Sequence, residues 1–152
     1  RLPGAPVMTN EHEHPGEEHL GGCLCGRIRY RIAAAIDSVA HCHCAMCRRG
    51  AGAVVVTWIS VPVERFDFVK GEPAVYKSSE HGSRSFCPGC GTLLTFFSTH
   101  APDDVDVTLG SLDHPEDHPA DRHIWTASRL PWLALDGDLP AHEKWTPPAA
   151  EG

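Results

Sequence analysis

Seven cysteines carry the most specific chemical signal in this sequence of 152 residues. They fall into the short motifs C-x-C, C-x-C-x-x-C and C-x-x-C, formed by Cys23 and Cys25, by Cys42, Cys44 and Cys47, and by Cys87 and Cys90. An odd number cannot pair completely into disulfides, and close neighbours are poor partners because disulfide geometry is restrictive. Short groups of thiolates instead suit a tetrahedral metal ion such as zinc. Reduced, metal-binding cysteines predict a protein of the cytoplasm.

The segment Cys87-Pro88-Gly89-Cys90-Gly91 has the composition of a zinc knuckle. Proline fixes the turn, and the two glycines allow positive φ, so that backbone N–H groups can turn toward the sulfurs. Cys23 and Cys25, which glycines also flank, could supply two more thiolates and complete a closed structural site. A redox-active C-x-x-C is disfavoured because no βαβ pattern surrounds this one.

The remaining Cys42, Cys44 and Cys47 would leave one coordination position of a metal ion open, which is typical of catalytic zinc. Two alternatives stay open at this point. His41 or His43 could fill the fourth position and make this site structural as well. An all-sulfur set could also hold an iron–sulfur cluster.

The elements that must position these cysteines are predicted to be short strands. Alternating or continuous apolar patterns predict strands at 24–32, 53–59, 63–69, 74–76, 92–97, 105–109 and 123–126. No helical period lasts three turns, and 13 prolines and 14 glycines oppose long helices, so only one helical turn is predicted, near Ala45. The predicted fold class is mostly β, with little helix and with the metal knuckles in the connections between strands.

The length suits one domain with loose ends. Residues 1–20 and 141–152 are predicted to be a flexible arm and a loose tail around a domain at 21–140. A net charge of −7 argues against a nucleic-acid partner, and the longest apolar run, 51–59, is too short to span a membrane. No secretory signal pattern is visible, which again predicts a cytoplasmic protein. The sequence leaves a homodimer open.

Three motifs together resemble a known family: Gly22-Cys23-Leu24-Cys25-Gly26, Cys42-His43-Cys44-Ala45-Met46-Cys47-Arg48 and Arg84-Ser85-Phe86-Cys87-Pro88-Gly89-Cys90-Gly91. They are similar to the glutathione-dependent formaldehyde-activating enzyme family, also called GFA-like, which includes members of the centromere protein V type. Softer matches extend the resemblance over about 21–140, at Tyr76-Lys77-Ser78-Ser79, Leu109-Gly110-Ser111-Leu112-Asp113, Pro131-Trp132 and Asp138-Leu139-Pro140.

The resemblance implies an Mss4-like β fold with two zinc ions per chain. It places a structural zinc on Cys23, Cys25, Cys87 and Cys90, and a catalytic zinc on Cys42, Cys44 and Cys47. It also implies a zinc-dependent carbon–sulfur lyase or synthase that joins glutathione to formaldehyde, giving S-(hydroxymethyl)glutathione. The partners would be a small thiol and an aldehyde, without nucleic acid or membrane.

Arginines near the cysteine motifs are candidate contacts for the carboxylates of such a thiol. Arg48 and Arg49 follow the C-x-C-x-x-C motif and Arg84 precedes the knuckle, and each could form a bidentate carboxylate pair. The sequence identifies no general base. Two other functions stay open: a non-catalytic zinc-stabilised module that binds a protein through an exposed apolar patch, and a zinc enzyme that acts on another small molecule.

Overall fold

The computed structural model describes residues 17–135 and 137–148, which form ten strands in two sheets and one α-helix. The strands are β1 (His19–Gly22), β2 (Arg29–Ile32), β3 (Val39–Cys42), β4 (Val56–Pro62), β5 (Phe66–Lys70), β6 (Ala74–Lys77), β7 (Gly82–Phe86), β8 (Leu93–Ser98), β9 (Asp104–Thr108) and β10 (Arg122–Ile124). The helix, α1, covers Ala45–Ala51. The predicted mostly-β fold class is confirmed. Within the described ranges, no helix is long and apolar enough to cross a membrane.

The smaller sheet has the order β1-β2-β5 and is antiparallel. In β2, Tyr30 and Ile32 are fully buried while Arg29 and Arg31 lie on the opposite, wetter face, as the alternation of the sequence predicts. Strand pairing begins only at Arg29, because the chain from 23 to 28 forms a tight turn in which the Cys23 N–H donates to the Ile28 carbonyl over 3.0 Å.

The larger sheet has the order β10-β3-β4-β9-β8-β7-β6, and all its pairs are antiparallel except β10 with β3. One face packs against the smaller sheet, where Ile59, Val61 and Val107 join Tyr30 and Ile32 in the main core. The residues between them along β4 and β9 point to the other face, which the core leaves open. That second face carries the site described below.

Each of the seven regions that the sequence predicts as strand overlaps one, whereas β1, β3 and β7 are not predicted. The strand β7 reads Gly-Ser-Arg-Ser-Phe and has no apolar alternation, yet Arg84 and Ser85 are buried in it. The expectation that the metal motifs lie only between strands is wrong for Cys42, the last residue of β3. The predicted helical turn near Ala45 is confirmed as the first turn of α1.

The chain beyond β10 returns along that strand. The N–H groups of His123, Trp125 and Thr126 donate to the carbonyls of Pro140, Lys144 and His142 over 2.8 to 3.0 Å. The start of the predicted loose tail is therefore held by backbone hydrogen bonds as far as 144. Within the described ranges the first strand, β1, begins at His19, two residues before the predicted domain boundary at 21, and the predicted arm lies largely outside the described residues.

Candidate metal centres and active site

The four-cysteine cluster joins the turn after β1 to the turn after β7. The Sγ atoms of Cys23, Cys25, Cys87 and Cys90 all lie within 4.8 Å of one another. The Sγ of Cys25 is 3.5 Å from that of Cys23 and 3.7 Å from that of Cys87. Four sulfurs at about 2.3 Å from a tetrahedral zinc would be about 3.8 Å apart, so the cluster has the dimensions of a closed site.

Hydrogen-bond donors surround these sulfurs. The backbone N–H of Ile28 donates to Cys23 Sγ over 3.2 Å, and that of Gly89 donates to Cys87 Sγ over 3.4 Å. A side-chain hydrogen bond with Thr92 lowers the pKa of Cys90 to about 5. Such contacts favour thiolates, the form that binds metal, so the donor set fits a zinc ion.

The three-cysteine cluster is built at the junction of β3 and α1. Cys42 ends the strand, Cys44 caps the helix, and Cys47 lies in its first turn, with the three Sγ atoms within 4.8 Å of one another. The Cys47 N–H donates to Cys44 Sγ over 3.2 Å. Hydrogen bonds from Cys42 and Cys47 lower the pKa of Cys44, and the contact with Cys44 raises the pKa of Cys42. Sulfurs this close ionise together only beside a cation, so this cluster also fits a metal ion.

Neither nearby histidine joins the three-cysteine cluster. No histidine of the described ranges lies in either group of metal-ligand candidates. His41 Nδ1 lies 2.7 Å from Thr57 Oγ1, and His43 Nε2 lies 3.0 Å from His123 Nδ1. Burial, followed by the charge of His123, lowers the pKa of His43 to about 4. The described residues therefore supply three ligand atoms here and leave a tetrahedral ion one position for another ligand.

A cavity of about 770 Å³ opens beside the three-cysteine cluster, and all three cysteines line it. Its floor is the open face of the larger sheet. Four aromatic side chains line it: Trp58 and Phe96 from the sheet, and Trp125 and Trp145 from the chain after β10. The four-cysteine cluster lies outside this cavity. The two clusters therefore differ in the number of cysteines and in whether they line this cavity.

Arg84 lines the cavity next to the cluster and is only 6% exposed. Its Nη2 lies 3.6 Å from Cys47 Sγ, and its guanidinium carbon is 4.7 Å from the ring centre of Phe96 and 6.0 Å from that of Trp58. Its Nη1 is buried without a hydrogen-bond partner. A buried cation with an unused donor at a cavity wall is suited to bind an anion.

The other two arginines expected at a substrate site lie elsewhere. Arg48 donates through Nη1 to the carbonyls of His43 and Ser128, over 2.9 and 2.6 Å, and so ties the cysteine loop to the turn after β10. Arg49 is exposed on α1, and neither residue lines the cavity. Of the three arginines, the structure brings only Arg84 to the three-cysteine cluster.

A carboxyl group faces the same cavity from β9. Asp106 Oδ1 accepts a hydrogen bond of 2.5 Å from Ser60 Oγ on β4. Burial raises the pKa of Asp106, and the hydrogen bond from Ser60 partly opposes this shift. Sequence reasoning missed Asp106, although the Asp-Val-Asp-Val pattern of β9 places its two acids on the face opposite the buried valines.

Comparison with known proteins assigns the family. The family model described as "Glutathione-dependent formaldehyde-activating enzyme" (GFA) matches residues 18–128, which is most of the chain. The chain belongs to the GFA family. A crystal structure of a Rhodobacter sphaeroides protein has a similar fold, with a TM-score of 0.55 and 19% identity, over 66% of this chain and 96% of that one. At this identity the likeness shows the fold alone.

Two aromatic residues of this GFA protein's cavity were not expected from the sequence motifs. Trp125 adopts a left-handed backbone conformation, with φ of 58°, just after β10. Trp145 comes from the returning segment beyond the family match and packs edge-on against Trp125, with ring centres 5.5 Å apart. No local pattern marks either residue, because the hydrogen bonds between the returning segment and β10 bring them together.

Proposed function

We propose that this GFA protein is a zinc-dependent carbon–sulfur lyase that joins glutathione, or a related small thiol, to formaldehyde or a related carbonyl. The supporting observation is that the three-cysteine cluster, and not the four-cysteine cluster, lines the aromatic cavity beside Arg84. The family description supports glutathione and formaldehyde as the substrate pair. Reduced cysteines at both clusters agree with the cytoplasm as the place of action.

In this proposal the two clusters have separate tasks. Cys23, Cys25, Cys87 and Cys90 would hold a structural zinc, and Cys42, Cys44 and Cys47 a catalytic zinc. When bound at the second cluster, zinc keeps a coordinating thiol deprotonated and therefore nucleophilic at neutral pH.

The reaction needs one new bond and one proton movement. A C–S bond forms between the thiol sulfur and the carbonyl carbon, the π electrons of C=O move to oxygen, and the thiol proton ends on that oxygen. Nothing is oxidised or reduced. The chain contributes position: Arg84 binds a carboxylate of the thiol through Nη1, and the aromatic walls exclude water from the reacting groups.

The test is the exchange rate among formaldehyde, glutathione and their adduct, measured by NMR on protein that carries two zinc ions. Because the adduct also forms without catalyst, Cys44→Ser protein serves as the matched control. We expect acceleration with the wild type and none with Cys44→Ser. A wild-type protein with both zinc ions and no acceleration would overturn the proposed reaction and favour another small molecule or a protein partner.

A further inference from the structure

Asp106 and Arg84 occupy one row across the larger sheet. The strand register pairs Asp106 with Ser60 on one side and with Phe96 on the other, and Phe96 in turn pairs with Arg84. Adjacent strands are about 4.8 Å apart, so the α-carbons of Asp106 and Arg84 are separated by roughly 10 Å. The ring of Phe96 lies between them, and both side chains line the cavity.

Burial raises the pKa of Asp106 and the charge of Arg84 lowers it, but the two side chains do not form a close ion pair. Among the ion pairs within 4.0 Å that the described residues form, none involves Asp106 or Arg84. Arg122, the next cation of the cavity lining, is engaged by Asp121, Ser38 and Thr146. Arg84 is buried and Asp106 is half-buried, so a cation and an anion held apart on one cavity wall are suited to the opposite charges of a ligand.

The distance of Asp106 from the cysteines argues for binding rather than proton transfer. Cys42 pairs with Val56 on β4, and Ser60, the partner of Asp106, lies four residues further along that strand. At about 3.3 Å per residue the two rows are roughly 13 Å apart. Arg84 of the same row reaches Cys47 Sγ through its long side chain, whereas the short side chain of Asp106 is held in its row by the hydrogen bond from Ser60. A proton donor must lie within hydrogen-bond reach of the reacting atom, so this placement suits Asp106 to binding.

We propose that Asp106, oriented by Ser60, is an ammonium subsite that binds the free amino group of the substrate thiol. The inference rests on the proposed function, since it places the thiol at the three-cysteine cluster and a carboxylate at Arg84. Glutathione fits this spacing. Eight bonds of about 1.5 Å separate its sulfur from its amino nitrogen, which gives a reach of roughly 10 Å. Together with one hydrogen bond of about 2.8 Å and one metal–sulfur bond of about 2.3 Å, this reach covers the roughly 13 Å between the rows of Cys42 and Asp106.

The experiment compares the binding of glutathione and N-acetylglutathione to zinc-loaded protein by calorimetry. The thiol and both carboxylates are the same in the two ligands, so a difference reports on the lost ammonium group or on the added acetyl group, and Asp106→Asn separates these two causes. A charge-assisted hydrogen bond should make the wild type prefer glutathione by about tenfold or more. In Asp106→Asn that preference should fall below about twofold, while the affinity for N-acetylglutathione stays unchanged and shows that the cavity is intact.

Asp104→Asn is the matched control, because Asp104 lies on the same strand and lines the same cavity but is exposed. It should keep the wild-type preference for glutathione. The ammonium subsite is overturned if the wild type binds both ligands equally, if Asp106→Asn keeps the preference, or if Asp106→Asn weakens both ligands alike. If the wild type binds neither ligand, the subsite and the proposed thiol substrate fail together.

Discussion

Arg84 lies on β7 with its guanidinium between the ring of Phe96 and the sulfur of Cys47, and it is almost wholly removed from water. Removing a cation from water is costly unless hydrogen bonds or an opposite charge compensate. The sulfur of Cys47, 3.6 Å from Nη2, supplies part of that compensation. The unbonded Nη1 leaves the rest to a ligand carboxylate.

Replacing Arg84 therefore should weaken thiol binding. We expect Arg84→Met to raise the half-saturating glutathione concentration about tenfold or more, because a charge-assisted hydrogen bond is lost while the side-chain volume is nearly kept. Steady-state measurements on zinc-loaded protein would show it. Arg49→Ala, outside the cavity, should leave the value unchanged. Equal effects of the two substitutions would refute a specific role of Arg84.

Tyr30 lies in the main core, and its ionisation depends on how tightly that core is packed. Its side chain is fully buried, its hydroxyl lies 2.8 Å from Ser111 Oγ, and burial raises its pKa from 10.0 to about 12. The unfolded chain therefore loses the phenol proton first as pH rises, so the stability that Tyr30 contributes is complete below pH 10 and is lost between about pH 10 and 12.

We expect Tyr30→Phe to lower the free energy of unfolding by about 1 kcal/mol at neutral pH. The difference from the wild type should shrink as pH rises above 10 and reverse its sign before pH 12, because raising the pKa from 10.0 to about 12 corresponds to more free energy than one hydrogen bond. Urea denaturation at several pH values measures both effects. Tyr76→Phe, at a position that is 64% exposed, should change nothing. A Tyr30→Phe difference that is the same at pH 8 and pH 11.5 would contradict this account.

The candidate metal ligands could be predicted from the sequence, and Arg84 is one of three candidate arginines, whereas Asp106 and its place across from Arg84 could not be predicted. The cysteines lie two or three positions apart within each motif, so their proximity is local. In the sequence, Arg84 looks like any charged residue that precedes a knuckle. Only the register of β7, β8 and β9 shows that it lies across Phe96 from Asp106. That arrangement depends on pairing between distant strands, which residue types alone do not reveal.

At the scale of elements, β1 depends on a close approach that only glycine allows. A Cβ at Gly21 would lie 2.3 Å from the Tyr30 hydroxyl and 2.5 Å from the Ser111 carbonyl oxygen. Both neighbours belong to the packed core and cannot move away freely. The chain can therefore pair β1 with β2 and still contact the turn after β9 only because this position has no side chain.

Gly21→Ala should accordingly destabilise the fold by about 1 to 3 kcal/mol. Gly110→Ala is the matched control, since a Cβ there meets no atom within 4 Å, and it should change the free energy of unfolding by less than about 0.5 kcal/mol. Thermal and urea unfolding of the two variants provide the measurement. A Gly21→Ala protein as stable as Gly110→Ala would show that β1 does not need glycine at this position.

Some strands can be predicted because their apolar pattern follows from burial in the core. The alternation in β2 identifies a strand with one face in the core, and the valines of β4 identify a buried one. In β7 the buried Arg84 faces the cavity, and the buried Ser85 lies on the other face, where its hydroxyl contacts that of Thr95. Strands that line a functional site break the apolar pattern in this way.

At the scale of the whole molecule, the two cysteine clusters connect different elements of the fold. The four-cysteine cluster takes two ligand candidates from the turn of the smaller sheet and two from the larger sheet, so an ion there would hold the sheets together. The three-cysteine cluster belongs to the larger sheet and α1, and it faces the cavity. In the proposed function, the first cluster therefore serves stability and the second serves chemistry.

The central claim is that the three-cysteine cluster holds a metal ion that accepts the sulfur of the substrate. Cobalt(II) in place of zinc tests it most directly, because the sulfur-to-cobalt absorption grows with the number of sulfur ligands. With seven cysteine ligands at two ions, saturating glutathione should raise that absorption by about one part in seven, and Cys44→Ser should show no such rise. An unchanged spectrum in protein that keeps both cobalt ions and binds glutathione would contradict the account.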